Sequence, residues 1–292
     1  MTSTPQSDRS AHSDQSPHSH QSPHQDHAPD PHPDPHPDPL RPLTGKVVVV
    51  TGAARGQGAA EAEALARAGA TVIATDVHPD GVDDCRKLDV AAEADWAALA
   101  AELRDTYGHV HGLVNNAGVI RRDRLGDVRP DDFAFVQSVN TTGPLLGIQY
   151  LAPLMPPGSS IVNIGSSAAL TAYYPVAYTA SKWALRGVSK IAATELGPRG
   201  IRVNTVHPGY IETEMTAAAT PAFREAMFRE TPLGRSGTVD DIAPLIVFLL
   251  SDASSFITGV EIPVDGGLTV HGGVKSISDA MRPAPVPGSA PE

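Results

Sequence analysis

Residues 46–58 read KVVVVTGAARGQG, and this stretch decides the fold. Lys46–Thr51 is a short, continuous apolar run, the pattern of a strand buried on both faces. Three glycines follow, Gly52, Gly56 and Gly58. Glycine lets the chain turn tightly and lets backbone come close to a ligand. Ala59–Ala68 then has high helix propensity and stops at Gly69. A strand, a glycine loop and a helix in that order present free N–H groups and the positive end of a helix dipole to a pyrophosphate.

Strands and helices keep alternating from there. Thr71–Asp76 (TVIATD) reads as strand, Ala91–Tyr107 as helix, His111–Asn115 as strand and Asp131–Leu151 mostly as helix. Ser160–Gly165 (SIVNIG) is a strand, Ala177–Leu196 a long helix and Ile201–His207 a strand. Val239–Leu250 is a helix with Pro244 placed near its first turn, and Val260–Val264 a last strand. This alternation calls for an α/β fold, a doubly wound sheet of parallel strands with right-handed crossovers. Residues 41–270 form one domain, and 271–292 a partly loose extension that ends Pro/Ala-rich.

The formal charge of −11 makes general nucleic-acid binding a poor fit, because such a chain repels phosphates. Cys85 is the single cysteine, which excludes an internal disulfide and a cysteine-cluster metal site. No apolar run approaches the ~20 residues of a membrane span, and the N-terminus shows no secretory pattern. These features predict a soluble, cytoplasmic protein. Residues 1–40 hold 7 of the 12 histidines and a single basic residue, Arg9, so they cannot bury enough apolar surface to order themselves. Their PHPDPHPDP repeat has the composition of a weak Zn, Ni or Cu binder. Compositional bias alone supports only a solvated tail, or a start codon set too far upstream, and no metal is assigned.

Asp76 ends the second strand, 18 residues after Gly58, near the spacing expected for a carboxylate that accepts from the adenosine ribose hydroxyls. A carboxylate there repels a 2′-phosphate, and the adjacent Val77 offers no guanidinium to bind one. Both features favour NAD over NADP. Arg55, in the glycine loop, is the counterargument: it could reach a 2′-phosphate, the pyrophosphate or solvent.

The glycine spacing is G-x-x-x-G-x-G, and here the chain begins to resemble the short-chain dehydrogenase/reductase family. Asn115-Asn116-Ala117-Gly118 matches that family's NNAG segment, Asn140 its helix-borne asparagine, and Ser166, Tyr178 and Lys182 its catalytic set. Pro208–Thr213 (PGYIET) and Asp265-Gly266-Gly267 resemble its later motifs. Ser166 lies 12 residues before Tyr178 with Ser167 beside it, and Ser166 is chosen because it follows VNIG in register. The resemblance covers about residues 44–268. It implies a Rossmann-type, seven-stranded parallel sheet with helices on both faces, commonly assembled as homotetramers or homodimers. It implies Asn140, Ser166, Tyr178 and Lys182 as catalytic residues. Gly52, Arg55, Gly56, Gln57 and Gly58 would hold the pyrophosphate side, and Asp76, Asp89, Val90, Asn116, Ala117 and Gly118 the adenosine side. Tyr178, Lys182, Pro208, Gly209, Ile211 and Thr213 would border the nicotinamide.

Tyr178 and Lys182 are four residues apart and share one helix face. An ammonium beside a phenol, with the positive nicotinamide, favours phenolate and lowers the phenol's pKa, so Tyr178 can exchange a proton with an alcohol or ketone while hydride moves. Ser166 would bond the substrate oxygen, and Asn140 would hold a water near Lys182. His207 reads as structural, and His109 and His111 as surface residues. Substrate choice should come from Leu170–Val176 and from Tyr210–Arg235, a mainly apolar lid of one or two short helices. Those segments suit a hydrophobic secondary alcohol or ketone, and YTASKWALRG resembles bacterial hydroxysteroid dehydrogenases. The alternatives are a 3-oxoacyl-thioester reductase, which would favour NADPH and a basic docking patch, and a non-catalytic NAD-binding scaffold.

Overall fold

The structure is a computed structural model and describes residues 41–217 and 219–282. The expected tail over 1–40 and the end of the C-terminal extension, 283–292, lie outside the described residues.

The strands are β1 (Val47–Thr51), β2 (Thr71–Asp76), β3 (Arg86–Lys87), β4 (Gly112–Asn115), β5 (Ser160–Ile164), β6 (Arg202–Pro208) and β7 (Glu261–Val264). They form one seven-stranded sheet in the order β3-β2-β1-β4-β5-β6-β7, and every pair is parallel. The helices are α1 (Gly56–Arg67), α2 (Glu93–Tyr107), α3 (Pro130–Gln137), α4 (Gly143–Leu151), α5 (Val176–Leu196), α6 (Glu214–Ala217), α7 (Pro221–Glu230), α8 (Val239–Leu250) and α9 (Val274–Ala280).

The valine run shows why the sheet is buried on both sides. Side chains alternate along a strand. Val47 and Val49 enter a core with Trp96, Leu113 and Ile161, while Val48 and Val50 enter the opposite core with Leu65, Ile246 and Leu249. Strand order reverses between β1 and β4, so a crevice opens at their carboxyl ends.

Four local features depart from the sequence reading. The two-residue β3 carries too short a signal to be seen in the sequence. The helix expected over 131–151 is broken by a π turn at Ser138–Thr142, a widened turn that such helices use at functional positions. Pro244 lies inside α8, beyond its first turn, where it can donate no N–H to the carbonyl one turn earlier. The surface assignment of His111 also fails: it is half-buried, and its Nδ1 accepts from Val47 N–H at 3.1 Å.

Candidate active site

The ends of β1 and β4 are stitched together by polar bonds. Thr51 Oγ1 accepts from the backbone N–H groups of Asn116 (3.1 Å) and Ala117 (3.0 Å). Asn116 Nδ2 donates to the carbonyls of Thr51 (2.9 Å) and Gly52 (3.2 Å). The glycine loop folds onto this seam. Gly52 and Gly56 adopt φ of +67° and +58°, a region that favours glycine. At Gly58 a Cβ would lie 2.2 Å from the Gly52 carbonyl oxygen, so only glycine brings α1 this close to the loop. No side chain caps the start of α1, which leaves its first N–H groups to a ligand.

Above the seam is a cavity of about 640 Å³. Gly52, Arg55, Gly56, Gln57 and Gly58 line one end, with Asp76, Asp89, Val90, Asn116, Ala117 and Gly118 beside them. Ser166, Tyr178, Lys182, Pro208, Gly209, Ile211 and Thr213 line the other. The backbone cradle, the uncapped helix start and the buried Asp76 carboxylate fit a nicotinamide dinucleotide. Asp76 accepts from His78 N–H (2.9 Å) and Ala54 N–H (3.2 Å), which fixes its carboxylate at the loop. Arg55 lines the same cavity, with its Nε 3.6 Å from Glu214 on α6.

Tyr178 and Lys182 leave one face of α5, as their spacing requires. Lys182 is buried, its Nζ donates to the Ile164 carbonyl at 2.7 Å, and it lies 5.8 Å from the Tyr178 ring centre. Burial lowers the Lys182 ammonium to about 8. The expected depression of the Tyr178 phenol is not what the structure gives. Burial raises it, and a hydrogen bond with Ser166 opposes that rise. The physical reason is that Lys182 is held by Ile164 and faces the ring of Tyr178, so desolvation dominates.

Ser166 lines the cavity and Ser167 does not. The Ser166 hydroxyl accepts from Ala168 N–H at 3.1 Å and caps the short turn Ser167–Ala169. The α5 helix pins that turn, because Trp183 Nε1 donates to Ala168 O (3.0 Å) and Arg186 Nη1 to Ala169 O (2.8 Å). Asn140 sits in the π turn, fully buried and outside the cavity lining. Its Oδ1 accepts from Val119 N–H (2.8 Å), and its Nδ2 donates to Val119 O and Ser181 Oγ (both 2.9 Å). Both amide protons are thus used on protein atoms, which makes the side chain a clamp on the segment after Gly118.

The lid has the two short helices α6 and α7, with Tyr210 packed edge-on against Phe223 and Phe228. Its base is closed by a bridge between Ile211 and Gly237. The mouth is less apolar than expected, because Arg122 reaches Met215 O at 2.9 Å and Arg124 stacks over Tyr174 at 4.9 Å.

Sequence reasoning missed Glu61. It is fully buried on α1 and bonded to Gln57 Nε2 at 2.9 Å; its Oε2 has no partner among the described residues, and burial pushes the acid up to about 8. A carboxylate three residues after Gly58 and four before Leu65, on the buried face of a helix, was the available signal. Among the described residues no cluster of three or more His, Cys, Asp or Glu is placed to hold a metal ion, and no helix is long and apolar enough to cross a membrane.

Comparison with known proteins agrees with this geometry. The family model described as enoyl-(acyl carrier protein) reductase matches residues 52–269. A trans-4-hydroxycyclohexanecarboxylate dehydrogenase of Sinomonas cyclohexanicum is 38% identical over 245 residues, covering 77% of this chain and 93% of that protein. A 3-alpha-(or 20-beta)-hydroxysteroid dehydrogenase of Mycobacterium bovis is 39% identical over 243 residues, covering 79% and 91%. A gluconate 5-dehydrogenase from Burkholderia cenocepacia, solved with NADP and tartrate, superposes with a TM-score of 0.73 at 33% identity, covering 79% of this chain and 98% of that one. With the glycine loop, the reversal of strand order and the Ser–Tyr–Lys grouping at one crevice, these matches show that the chain belongs to the short-chain dehydrogenase/reductase family of oxidoreductases, whose fold binds a nicotinamide dinucleotide.

Proposed function

We propose that this protein transfers hydride between NAD(H) and a secondary alcohol or ketone on a cyclic, largely hydrophobic body, such as a hydroxysteroid or a substituted cyclohexanol. The observation that carries the reading is the convergence of Ser166, Tyr178 and Lys182 on the end of the cavity away from Asp76. When bound, the nicotinamide supplies or accepts the hydride. Tyr178 gives a proton to a ketone oxygen, or takes one from an alcohol. Ser166, which lines the cavity with Tyr178, bonds the substrate oxygen through its hydroxyl and stabilises charge that develops there. Lys182 brings a positive charge into a desolvated site, where it favours the phenolate during transfer. Asn140 is a positioning residue: it holds Val119, and with it the strip of chain beneath Lys182.

NAD is preferred over NADP in this reading. Asp76 stands at the ribose end, and the nearest loop guanidinium, Arg55, is engaged by Glu214. Like charge within hydrogen-bond range disfavours a 2′-phosphate. The gluconate 5-dehydrogenase that resembles this chain was solved with NADP, so the cofactor is part of the test. A panel of steroid, cyclic and aliphatic alcohols, assayed with NAD and NADP side by side, decides it. Turnover of cyclic alcohols with NAD supports the reading. Turnover confined to 3-oxoacyl thioesters with NADPH moves the protein to the 3-oxoacyl-[acyl-carrier-protein] reductases, which are among its relatives. Dinucleotide binding with no turnover of any alcohol or ketone leaves a non-catalytic scaffold.

A further inference from the structure

The stretch Ile120–Arg124 (IRRDR) begins two residues after Gly118 and carries three guanidinium groups just outside the cavity lining, in a chain of formal charge −11. Two of them are occupied. Arg121 lies 3.4 Å from Asp132 and 5.2 Å from the Phe135 ring centre, and Arg124 stacks on Tyr174. Arg122 has no carboxylate partner among the described residues. It makes one bond, from Nη2 to the carbonyl of Met215, a residue that lines the cavity. Guanidinium carries five N–H donors in a planar fork, so most of this group remains available.

Its position relative to Tyr178 is fixed from two sides. The lid holds the head group through Met215, and Val176 N–H, in the first turn of α5, donates to Asp123 O at 3.3 Å. Tyr173 lies in the loop just before α5, five residues ahead of Tyr178. Its ring meets Tyr174 edge-on at 5.0 Å. Burial pushes the Tyr173 phenol up to about 12, with Tyr174 and Tyr178 adding to the rise and the Arg122 charge opposing it. The Asp123–Val176 bond ties the arginine segment to the start of the helix that carries Tyr178, and the Arg122–Met215 bond ties it to the cavity lining.

We propose that Arg122 is an anion subsite and that the substrate carries a carboxylate on the side of its body opposite the reacting carbinol. This rests on the dehydrogenase reading above and narrows its substrate class. The fork of arginine matches a carboxylate bidentately, and such charge-assisted bonds are the strong ones. One available guanidinium facing the lid suits a small carboxylate better than a carrier protein, which needs a broad basic surface.

The test pairs a cyclic secondary alcohol bearing a ring carboxylate with its carboxamide, in the native chain, Arg122→Gln and Arg122→Lys. The native enzyme prefers the acid by at least about tenfold in kcat/KM. In Arg122→Gln the acid loses roughly 10- to 100-fold while the amide changes less than about threefold. Arg122→Lys recovers part of the loss. A second measurement is independent of turnover: calorimetric binding of cyclohexanecarboxylate against cyclohexanecarboxamide to the enzyme with NAD bound. The carboxylate binds more tightly, and Arg122→Gln removes the difference. Equal losses for acid and amide in Arg122→Gln would mean that Arg122 only braces the lid, and the proposal falls. It also falls if only carrier-bound thioesters show Arg122 dependence. Amide turnover without acid preference sinks the subsite and leaves the dehydrogenase. No turnover of either compound, with carboxylate binding intact, sinks the dehydrogenase and leaves the subsite.

Discussion

His207 Nδ1 lies 3.1 Å from the backbone nitrogen of Ser166 and 2.9 Å from its carbonyl oxygen. One ring nitrogen cannot accept from the first and donate to the second at once. The other ring nitrogen decides between them, because Nε2 faces the Glu261 carboxylate at 3.2 Å. Burial lowers the His207 pKa, so the ring is neutral; its proton sits on Nε2, and Nδ1 accepts from Ser166 N–H. Glu261 is itself held by Arg186 and Lys190, which keep its carboxyl well below the usual range. Replacing His207 by Leu leaves a buried N–H unpaired, which costs about 2 kcal/mol. The expected result is a lower melting temperature and a kcat reduced by about tenfold, with cofactor affinity unchanged. His207→Gln, which can still accept, recovers most of both. Steady-state kinetics and thermal melts check this.

Tyr178→Phe removes the proton donor and keeps the ring. General acid–base groups contribute about 10²–10⁴ in rate. We expect a loss of that order in kcat with dinucleotide affinity within about twofold of the native value, since the cradle is made of backbone at Gly52, Gly56 and Gly58. Normal turnover in this variant would overturn the mechanism.

Asp76→Ala removes the carboxylate at the ribose end. The ratio of kcat/KM for NAD over NADP is expected to fall by roughly 100-fold, mostly through KM. An unchanged ratio means that another group chooses the cofactor.

Glu61 supplies a pH signature. Its acid is raised from 4.5 to about 8 in the folded chain. Between those values the folded state holds a proton that the unfolded state has released, so stability falls as pH rises through this window and levels off above it. Glu61→Gln keeps an acceptor for Gln57 and does not ionise. Its advantage over the native protein should grow from small near pH 5 to on the order of 3 kcal/mol near pH 7–8. Denaturant melts across that range test the claim, and an advantage that ignores pH counts against a buried neutral acid.

The fold was legible because strands buried on both faces read as unbroken apolar runs, and because Gly52, Gly56 and Gly58 sit where a strand meets a helix. Tyr178 and Lys182 were legible for the same reason: four residues on a helix is a short-range fact. What the sequence hid is long-range. Nothing local joins Ser166 to His207, or Arg122 to Met215, and these pairs meet only once β5, β6 and the lid are in place. The π turn around Asn140 was hidden too, since widening by one residue leaves the apolar pattern of the helix almost intact.

The bridge between Ile211 and Gly237 has a consequence for change over generations. An excursion whose first and last residues are bridged to each other keeps its ends together, whatever lies between. Its sequence can drift, lengthen or be exchanged without disturbing the proton-handling groups on the neighbouring scaffold. New specificities are therefore best sought by grafting residues 217–236, with the bridged pair and Thr213 left as found.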